Sequence, residues 1–282
     1  TGINFRLAVA PNDQPHMILG YYEYLHHHWR TSSGWESYDL YPDSESTSMS
    51  YVDIGIDNNG KVHMIALIGY GDDVSYFSQE PGGGARNQES LTLPDTGGGS
   101  PTWTNIGLTT DGRPVVSFDI GTDDVIVVAE RESSGTWSYE VPAQDVAQIH
   151  GMDVGPNDHP MILYRHASNY DGLRLLERTN QGWTDTLIVD NAATSVEPGY
   201  NPDVDIDDLG DPHVVYTAGG TGGEYDTGMF YLRFNGNGWE TYQVSGIQYP
   251  FYPRIRVDST RTPHMAVYDS GQDAISYVRL DP

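Results

Sequence analysis

One short phrase is written six times along this chain, each time with the same grammar. Apolar residues alternate with polar ones, a polar tight turn follows, and Pro-His or a near relative leads into a second apolar run. The copies run from Leu7-Ala8-Val9 to Pro15-His16, Ile54-Gly55-Ile56 to Val62-His63 and Ile106-Gly107-Leu108 to Pro114-Val115. They continue from Met152-Asp153-Val154 to Pro160-Met161, Val204-Asp205-Ile206 to Pro212-His213 and Ile255-Arg256-Val257 to Pro263-His264. A repeat with a period of roughly 46–52 residues is a supersecondary unit that cannot bury its apolar face alone and must stack on its neighbours.

That period is the one expected of four-stranded propeller blades. The fifth copy shows the parts. Val204 and Ile206 alternate with Asp203 and Asp205, the period-2 signature of a strand. Asp207-Asp208-Leu209-Gly210-Asp211 supplies turn chemistry, and Pro212-His213-Val214-Val215-Tyr216 reads as the returning strand. Met229 to Arg233 makes a third strand, Asn235-Gly236-Asn237-Gly238 turns the chain, and Trp239 to Val244 makes a fourth. The Gly-Trp opening of the fourth strand recurs at Gly34-Trp35 and Gly182-Trp183, with Trp137 close to it in the third repeat. The expectation is an all-β, six-bladed β-propeller forming a single domain over residues 1–282. Its blades would lie at about 5–45, 51–93, 103–143, 149–190, 200–245 and 252–282. The last blade lacks a fourth strand, so it is either three-stranded or completed by Thr1 to Asn4 or by sequence beyond these residues.

Charge narrows the partners. The 282 residues hold 14 basic and 40 acidic side chains, a formal charge of −26, and Lys61 is the only lysine. Nucleic acid is excluded as an expected partner, because its affinity comes largely from Lys and Arg displacing phosphate counterions. Anionic membrane surfaces are disfavoured for the same reason, and no apolar run approaches the ~20 residues needed to span a bilayer. The absence of cysteine rules out disulfides, thiol nucleophiles and cysteine-ligated metals. An acidic, nearly lysine-free chain fits a secreted protein, a salt-adapted one, or both; an extracellular or cell-surface setting is expected, and the opening at Thr1 fits a processed or excised piece of a larger polypeptide or assembly.

The phrase Asp-x-x-Gly-x-Pro-His followed by two apolar residues and Tyr resembles bacterial and archaeal extracellular propeller repeats, themselves loosely similar to sialidase and BNR-like propellers. Asp207 to Tyr216 matches with one extra turn residue and Asp57 to His63 matches less fully. The sialidase Asp-box is absent, since Ser134-Gly135-Thr136-Trp137 is only a fragment of it, and no arginine triad can be transferred. The resemblance implies fold and extracellular location, not catalysis.

Strand one of a propeller blade lines the central channel, and its alternation sorts residues between blade packing and channel. The apolar set, Ile54/Ile56, Val204/Ile206 and Ile255/Val257 among them, should pack between blades. The other set should face the channel: Arg6/Ala8, Asp53/Gly55, Asn105/Gly107, Gly151/Asp153, Asp203/Asp205 and Arg254/Arg256. Arginines beside aspartates there would pair around the axis or hold a charged ligand. One step toward the channel mouth the same facing gives Asn4, Tyr51, Trp103, Ile149, Asn201 and Tyr252, with Tyr200, Tyr249 and Phe251 close by. Aromatic faces beside carboxylates and arginines are what sugar rings use. The candidate ligand-binding residues are therefore Tyr51, Trp103, Tyr252, Asp53, Asp203, Arg254 and Arg6. Loops between strands two and three, such as Tyr21-Tyr22-Glu23-Tyr24, Gly69 to Asp73, Arg165 to Asp171 and Glu224-Tyr225-Asp226, should open on the same face.

His16, His63, His213 and His264 recur at one repeat position, so packing or hydrogen bonding is their expected role. His26-His27-His28 occur in no other blade; His26 and His28 share a strand face, where two imidazoles suit a transition metal. Asp203-Val204-Asp205-Ile206-Asp207-Asp208 has the start of a calcium loop. It lacks Gly at the sixth position and Glu at the twelfth, where Val214 stands, so a strand is expected. No metal or cofactor is expected, and His26, His28, Asp205 and calcium are the remaining candidates.

The favoured function is an extracellular ligand-binding or adhesion module, with glycan as ligand class and the channel mouth as site. A polysaccharide-degrading enzyme on the same face is the alternative. A lyase would draw its base and cation from Tyr51, Tyr252, His150, His166, Arg165 and Arg254. A hydrolase would need two carboxylates about 5–10 Å apart, for which Asp53, Asp153 and Asp203 are available. A structural or protein-interaction role in a surface assembly is the third reading, with a surface protein as partner.

Overall fold

The computed structural model describes residues 4–21, 24–40, 49–69, 73–94, 99–121, 124–166, 172–191, 196–198, 202–220 and 228–280. They fall into two compact units, Thr1–Asp145 and Val146–Pro282. Each unit holds three antiparallel sheets.

In the first unit, sheet one is β1 (Asn4–Val9), β2 (Pro15–Tyr21), β3 (Tyr24–Thr31) and β4 (Gly34–Asp39). Sheet two is β5 (Met49–Ile56), β6 (Val62–Ile68), β7 (Asp73–Gln79) and β8 (Arg86–Ser90), and sheet three is β9 (Pro101–Leu108), β10 (Pro114–Ile120), β11 (Val125–Arg131) and β12 (Trp137–Gln144). In the second unit, sheet four is β13 (Val146–Val154), β14 (Pro160–His166), β15 (Gly172–Thr179) and β16 (Gly182–Asp190). Sheet five has a first strand in two pieces, β17 (Val196–Pro198) and β18 (Asp203–Ile206), both paired with β19 (Pro212–Gly220), followed by β20 (Gly228–Phe234) and β21 (Trp239–Val244). Sheet six stops at three strands: β22 (Pro250–Val257), β23 (Pro263–Asp269) and β24 (Ala274–Arg279). Each sheet follows chain order, with consecutive strands paired antiparallel apart from the two pieces β17 and β18, which both pair with β19.

The hairpin between the first two strands is the same in all six sheets. A residue X accepts from the N–H of X+3 and donates to the carbonyl of X+4, with X being Ala10, Asp57, Thr109, Gly155, Asp207 or Asp258. Position X+3 lies at positive φ each time, at 82–89° where it is Gly60, Gly112 or Gly210 and at 60–64° where it is Asp13, Asp158 or Arg261. Glycine occupies this conformation without steric cost, and Asp tolerates it. That requirement explains the Asp-x-x-Gly spacing of the repeat. Where X is Asp, its Oδ1 caps the turn, accepting from Asn59 and Lys61, from Leu209 and Asp211, and from Thr260 and Thr262.

The same aspartates reach the recurrent histidines. His213 Nε2–H donates to Asp207 Oδ2 (3.4 Å) and its Nδ1 accepts from Tyr231 O–H (2.6 Å). His264 does the same with Asp258 (3.0 Å) and Tyr277 (2.5 Å), and His63 with Tyr76 (2.7 Å) beside Asp57. The Pro-His position is thus a structural clasp tying the turn to strand three. In sheet one, which has no such tyrosine, His27 takes its place: His16 Nδ1 lies 3.0 Å from His27 Nε2, and His27 Nδ1–H donates to Gln79 Oε1 of sheet two at 2.7 Å.

Within each unit the first strands of successive sheets touch: β1 with β5, β5 with β9, β13 with β18 and β18 with β22. The cores lie between the sheets. Ile18 and Leu25 pack on Val52, Ile54 and Met64, while Ile65, Leu67 and Tyr76 on the opposite face of sheet two pack on Ile106, Val116 and Phe118. The second unit repeats this, with Leu163 and Leu175 against Val204 and Val214, and Val215 and Tyr231 against Ile255 and Met265. Strand β6 is buried on both faces, so it reads as an apolar run broken only by His63 rather than as an alternating one. Ile54, Val204 and Ile255 pack between sheets as expected of them.

Candidate functional site

The first strands carry an irregularity at one repeat position. The β5–β6 ladder shifts register between Ser50 and Asp53, the β9–β10 ladder around Trp103, the β13–β14 ladder around His150 and the β22–β23 ladder between Phe251 and Arg254. These are β-bulges, which re-aim side chains and concentrate next to functional sites. Three of the bulged residues are the aromatics Tyr51, Trp103 and Tyr252, and all three stand in the left-handed region, at φ 48°, 46° and 53°. A residue with a Cβ gives up on the order of 1–2 kcal/mol there, and bulky residues are held so only where the surroundings over-determine them.

Tyr51 and Trp103 meet across neighbouring sheets of the first unit, ring centroids 4.6 Å apart and tilted by 44°. Thr104 Oγ1–H donates to the Tyr51 carbonyl, fixing one bulge to the next. Behind the pair lies Asp119 on β10, buried, accepting from Thr102 Oγ1–H at 2.5 Å. Burial first, and then the Asp119 charge, raise the Tyr51 pKa. Tyr252 is 61% exposed and has Phe251 as its ring neighbour, 6.2 Å away. Two half-buried rings beside a fixed carboxylate offer an apolar face and a hydroxyl acceptor together.

The aspartates of the first strands have a second occupation. Asp53 Oδ2 accepts from the Ile106 N–H of the next sheet (2.9 Å), Asp153 Oδ2 from Ile206 N–H (2.8 Å), Asp203 Oδ2 from Ile255 N–H (3.0 Å) and Asp205 Oδ2 from Val257 N–H (2.6 Å). Each carboxylate staples its sheet to the following one, 52–53 residues on. Arg6 Nε lies 3.8 Å from Asp53, and Arg256 lies 3.6 Å from both Asp203 and Asp205, so these arginines and aspartates do pair between neighbouring sheets. Burial, reinforced by Asp205, holds the Asp153 carboxyl well above the ordinary range. Asp205 is thereby a staple residue of the strand, as the missing calcium-loop positions imply.

A different group gathers in the second unit. His150, at the β13 bulge, and Arg165, on β14, are buried. Burial lowers the His150 pKa to about 3, helped by the charges of Arg165 and Arg254. Arg254 belongs to sheet six and His150 to sheet four, whose first strands β22 and β13 both touch β18 of sheet five. His166, beside Arg165, lies 3.3 Å from Tyr164 Oη.

His26 and His28 lie on one face of β3 with ring centroids 5.8 Å apart, and Tyr24 stacks on His26. Among the described residues no group of three His, Cys, Asp or Glu is arranged to hold a metal. Residues 22–23, 70–72, 167–171 and 221–227, with Tyr200 and Asn201, lie outside the described residues, and with them most of the expected strand-two to strand-three loops. Sequence reasoning passed over Asp119, which sits in an apolar run with only its charge to mark it, and Gln79, whose role depends on a histidine 52 residues away.

By sequence the chain matches no protein-family model and no curated protein. Its structure is similar to several solved ones. An α-L-arabinanase of Penicillium chrysogenum, solved with arabinobiose, aligns at TM-score 0.65 and 11% identity over 99% of this chain and 93% of that one. AofleA of Arthrobotrys oligospora aligns at 0.63 and 10% over 99% and 83%. The fungal Aleuria aurantia lectin, described as a six-bladed β-propeller with fucose recognition, aligns at 0.59 and 11% over 98% and 90%. At such identities the likeness establishes the fold: an all-β six-bladed propeller with five four-stranded blades and a three-stranded last blade.

Proposed function

We propose that this chain is a glycan-binding propeller module of an extracellular or cell-surface protein, with the first-strand bulge aromatics as sugar platforms and the Tyr51–Trp103 pair as the main one. The observation that carries this reading is the repeated placement of bulky aromatics in a costly backbone conformation. Packing alone does not ask for it, since the corresponding position of sheet one has an unbulged ladder through Asn4 and Phe5. Stacking rings with Asp119 behind them suit a hydroxyl-rich ligand. The structural neighbours add support of a coarser kind, because proteins named for sugar binding or sugar cleavage share the fold.

For two of the candidate bases, Tyr51 and His150, the electrostatics favour binding over turnover. A general base works best with a pKa near the operating pH. Tyr51 is pushed further above neutrality and His150 far below it. Neither is poised to take a proton at pH 7. The test is a thermal-shift screen against neutral and uronic polysaccharides, with and without calcium, read in parallel for reducing ends and unsaturated products. Stabilisation without product, lost in Trp103→Ala, is expected; product formation would replace this reading with the enzymatic one.

A further inference from the structure

We propose that His26 and His28, with Met17 across the ladder from them, form a copper-binding site on the face of sheet one that is turned away from sheet two. The inference is independent of the glycan reading and concerns different residues.

The alternation of β3 builds this face. Leu25, His27 and Trp29 are buried, while Tyr24, His26 and His28 alternate with them and reach the opposite side. The ladders that hold β3 to β2 and to β4 both run without a register shift. The two imidazoles therefore stand on a strand paired along both edges, a more precise scaffold than a loop. Met17 is directly across from His28 in the β2–β3 ladder. Residues so paired share a face, with Cβ atoms about 4.5–5.5 Å apart. Met17, His26 and His28 are all half-buried, within reach of a small ion from solvent.

The histidines of the clasps have their nitrogens engaged, and these two do not. His16, His27, His63, His213 and His264 each have a hydrogen-bond partner. Among the described residues, His26 and His28 make ring contacts alone: their centroids are 5.8 Å apart, and Tyr24 stacks on His26. A metal about 2.0–2.1 Å from one nitrogen of each ring needs those centroids about 4.5–5.2 Å apart. Rotation of the two side chains closes the remaining gap of about 1 Å without moving the strand.

The donor set selects the metal. Imidazole suits zinc, copper, nickel and iron alike, but affinity along the divalent series peaks at Cu(II). A thioether is a soft donor that favours Cu(I), so two imidazoles and Met17 serve copper in either oxidation state. Calcium and magnesium take oxygen ligands, which these three side chains do not offer. The formal charge of −26 raises the concentration of any cation near the surface, and the nitrogen and sulfur donors supply the selectivity.

The experiment titrates copper(II) chloride and zinc chloride separately into the tag-free chain by calorimetry, with an EPR spectrum of the copper complex. One Cu(II) per chain is expected, about tenfold or more tighter than Zn(II), with hyperfine structure from imidazole nitrogen. His26→Gln and His28→Gln, each checked for folding by its melt, should weaken Cu(II) binding about tenfold or more. His159→Gln, in a turn of the second unit, should leave it unchanged. Under anaerobic ascorbate, Met17→Leu should weaken Cu(I) binding and spare Cu(II). No saturable copper binding by the wild type would overturn the proposal, as would binding that survives both histidine substitutions. Zinc held as tightly as copper would overturn the choice of metal. Unchanged Cu(I) affinity in Met17→Leu would overturn the place of Met17 in the donor set.

Discussion

Replacing Tyr252 by glycine should stabilise the protein relative to alanine at the same position. Elsewhere in a strand the order is the reverse, because glycine loses more backbone entropy on folding, to the extent of about 0.5–1 kcal/mol. At φ 53°, however, any residue with a Cβ gives up about 1–2 kcal/mol that glycine does not. At the middle of both ranges glycine is ahead by roughly 0.75 kcal/mol, equivalent to a shift of about 1.5–3 °C for a domain of this size class. Tyr252 is the right position because its ring is mostly exposed, so both truncations lose little packing and the backbone term dominates. Urea titration of Tyr252→Gly and Tyr252→Ala, compared by midpoint at unchanged slope, reads the difference directly. An alanine variant as stable as the glycine variant would refute the reasoning. The bulge would then hold no strain, and the argument that its aromatics are kept for binding would lose its foundation.

Other expectations follow from the same geometry. Asp203→Ala removes the acceptor of the Ile255 N–H and should cost about 1–3 kcal/mol in a urea titration. Gly112→Ala should be worse than Gly236→Ala although both lie at φ 82–84°. A Cβ at 112 meets Asp57 at 3.0 Å, whereas one at 236 meets nothing within 4 Å, so calorimetry should separate the two melts. Acid should weaken the fold through buried histidines: burial lowers His27 to about 4, and lowers His16, His63 and His213 as well. The unfolded chain takes up those protons from pH 6.5 downward while the folded chain does not, so stability is complete above that pH. It falls as the pH drops toward 4, by up to about 1.4 kcal/mol per pH unit for His27 and for His63, both lowered to about 4; urea midpoints at pH 7 and pH 5 check the sign.

The fold was legible because the repeat carries its own physics. The left-handed X+3 position is filled by Gly or Asp in five of the six sheets, and the alternation of Ile54, Val204 and Ile255 tells which face is buried. The site was legible in part. Tyr51, Trp103 and Tyr252 share a repeat position, and the structure gives them one backbone conformation as well. Alternation says which way Asp53 and Asp203 point but not what takes their oxygens. The answer, a backbone N–H one repeat later, depends on the spacing between sheets. His27 stayed hidden for a related reason: between His26 and His28 it looks like a surface residue, and only its contacts with His16 and Gln79 make it a buried relay. Asp119 required knowing that Thr102 and the Tyr51 ring face β10.

The account stands most directly on which tryptophan a glycan touches. Titrating the best polysaccharide from the screen into wild type, Trp103→Ala and Trp35→Ala separates the bulge from the outer surface, since Trp35 is 54% exposed on a fourth strand. Loss of a binding hot spot costs more than about 1 kcal/mol, a five- to tenfold weakening. The account predicts that weakening for Trp103→Ala and unchanged affinity for Trp35→Ala. Unchanged affinity in Trp103→Ala, with loss in Trp35→Ala, would contradict it and move the binding surface to the outer strands.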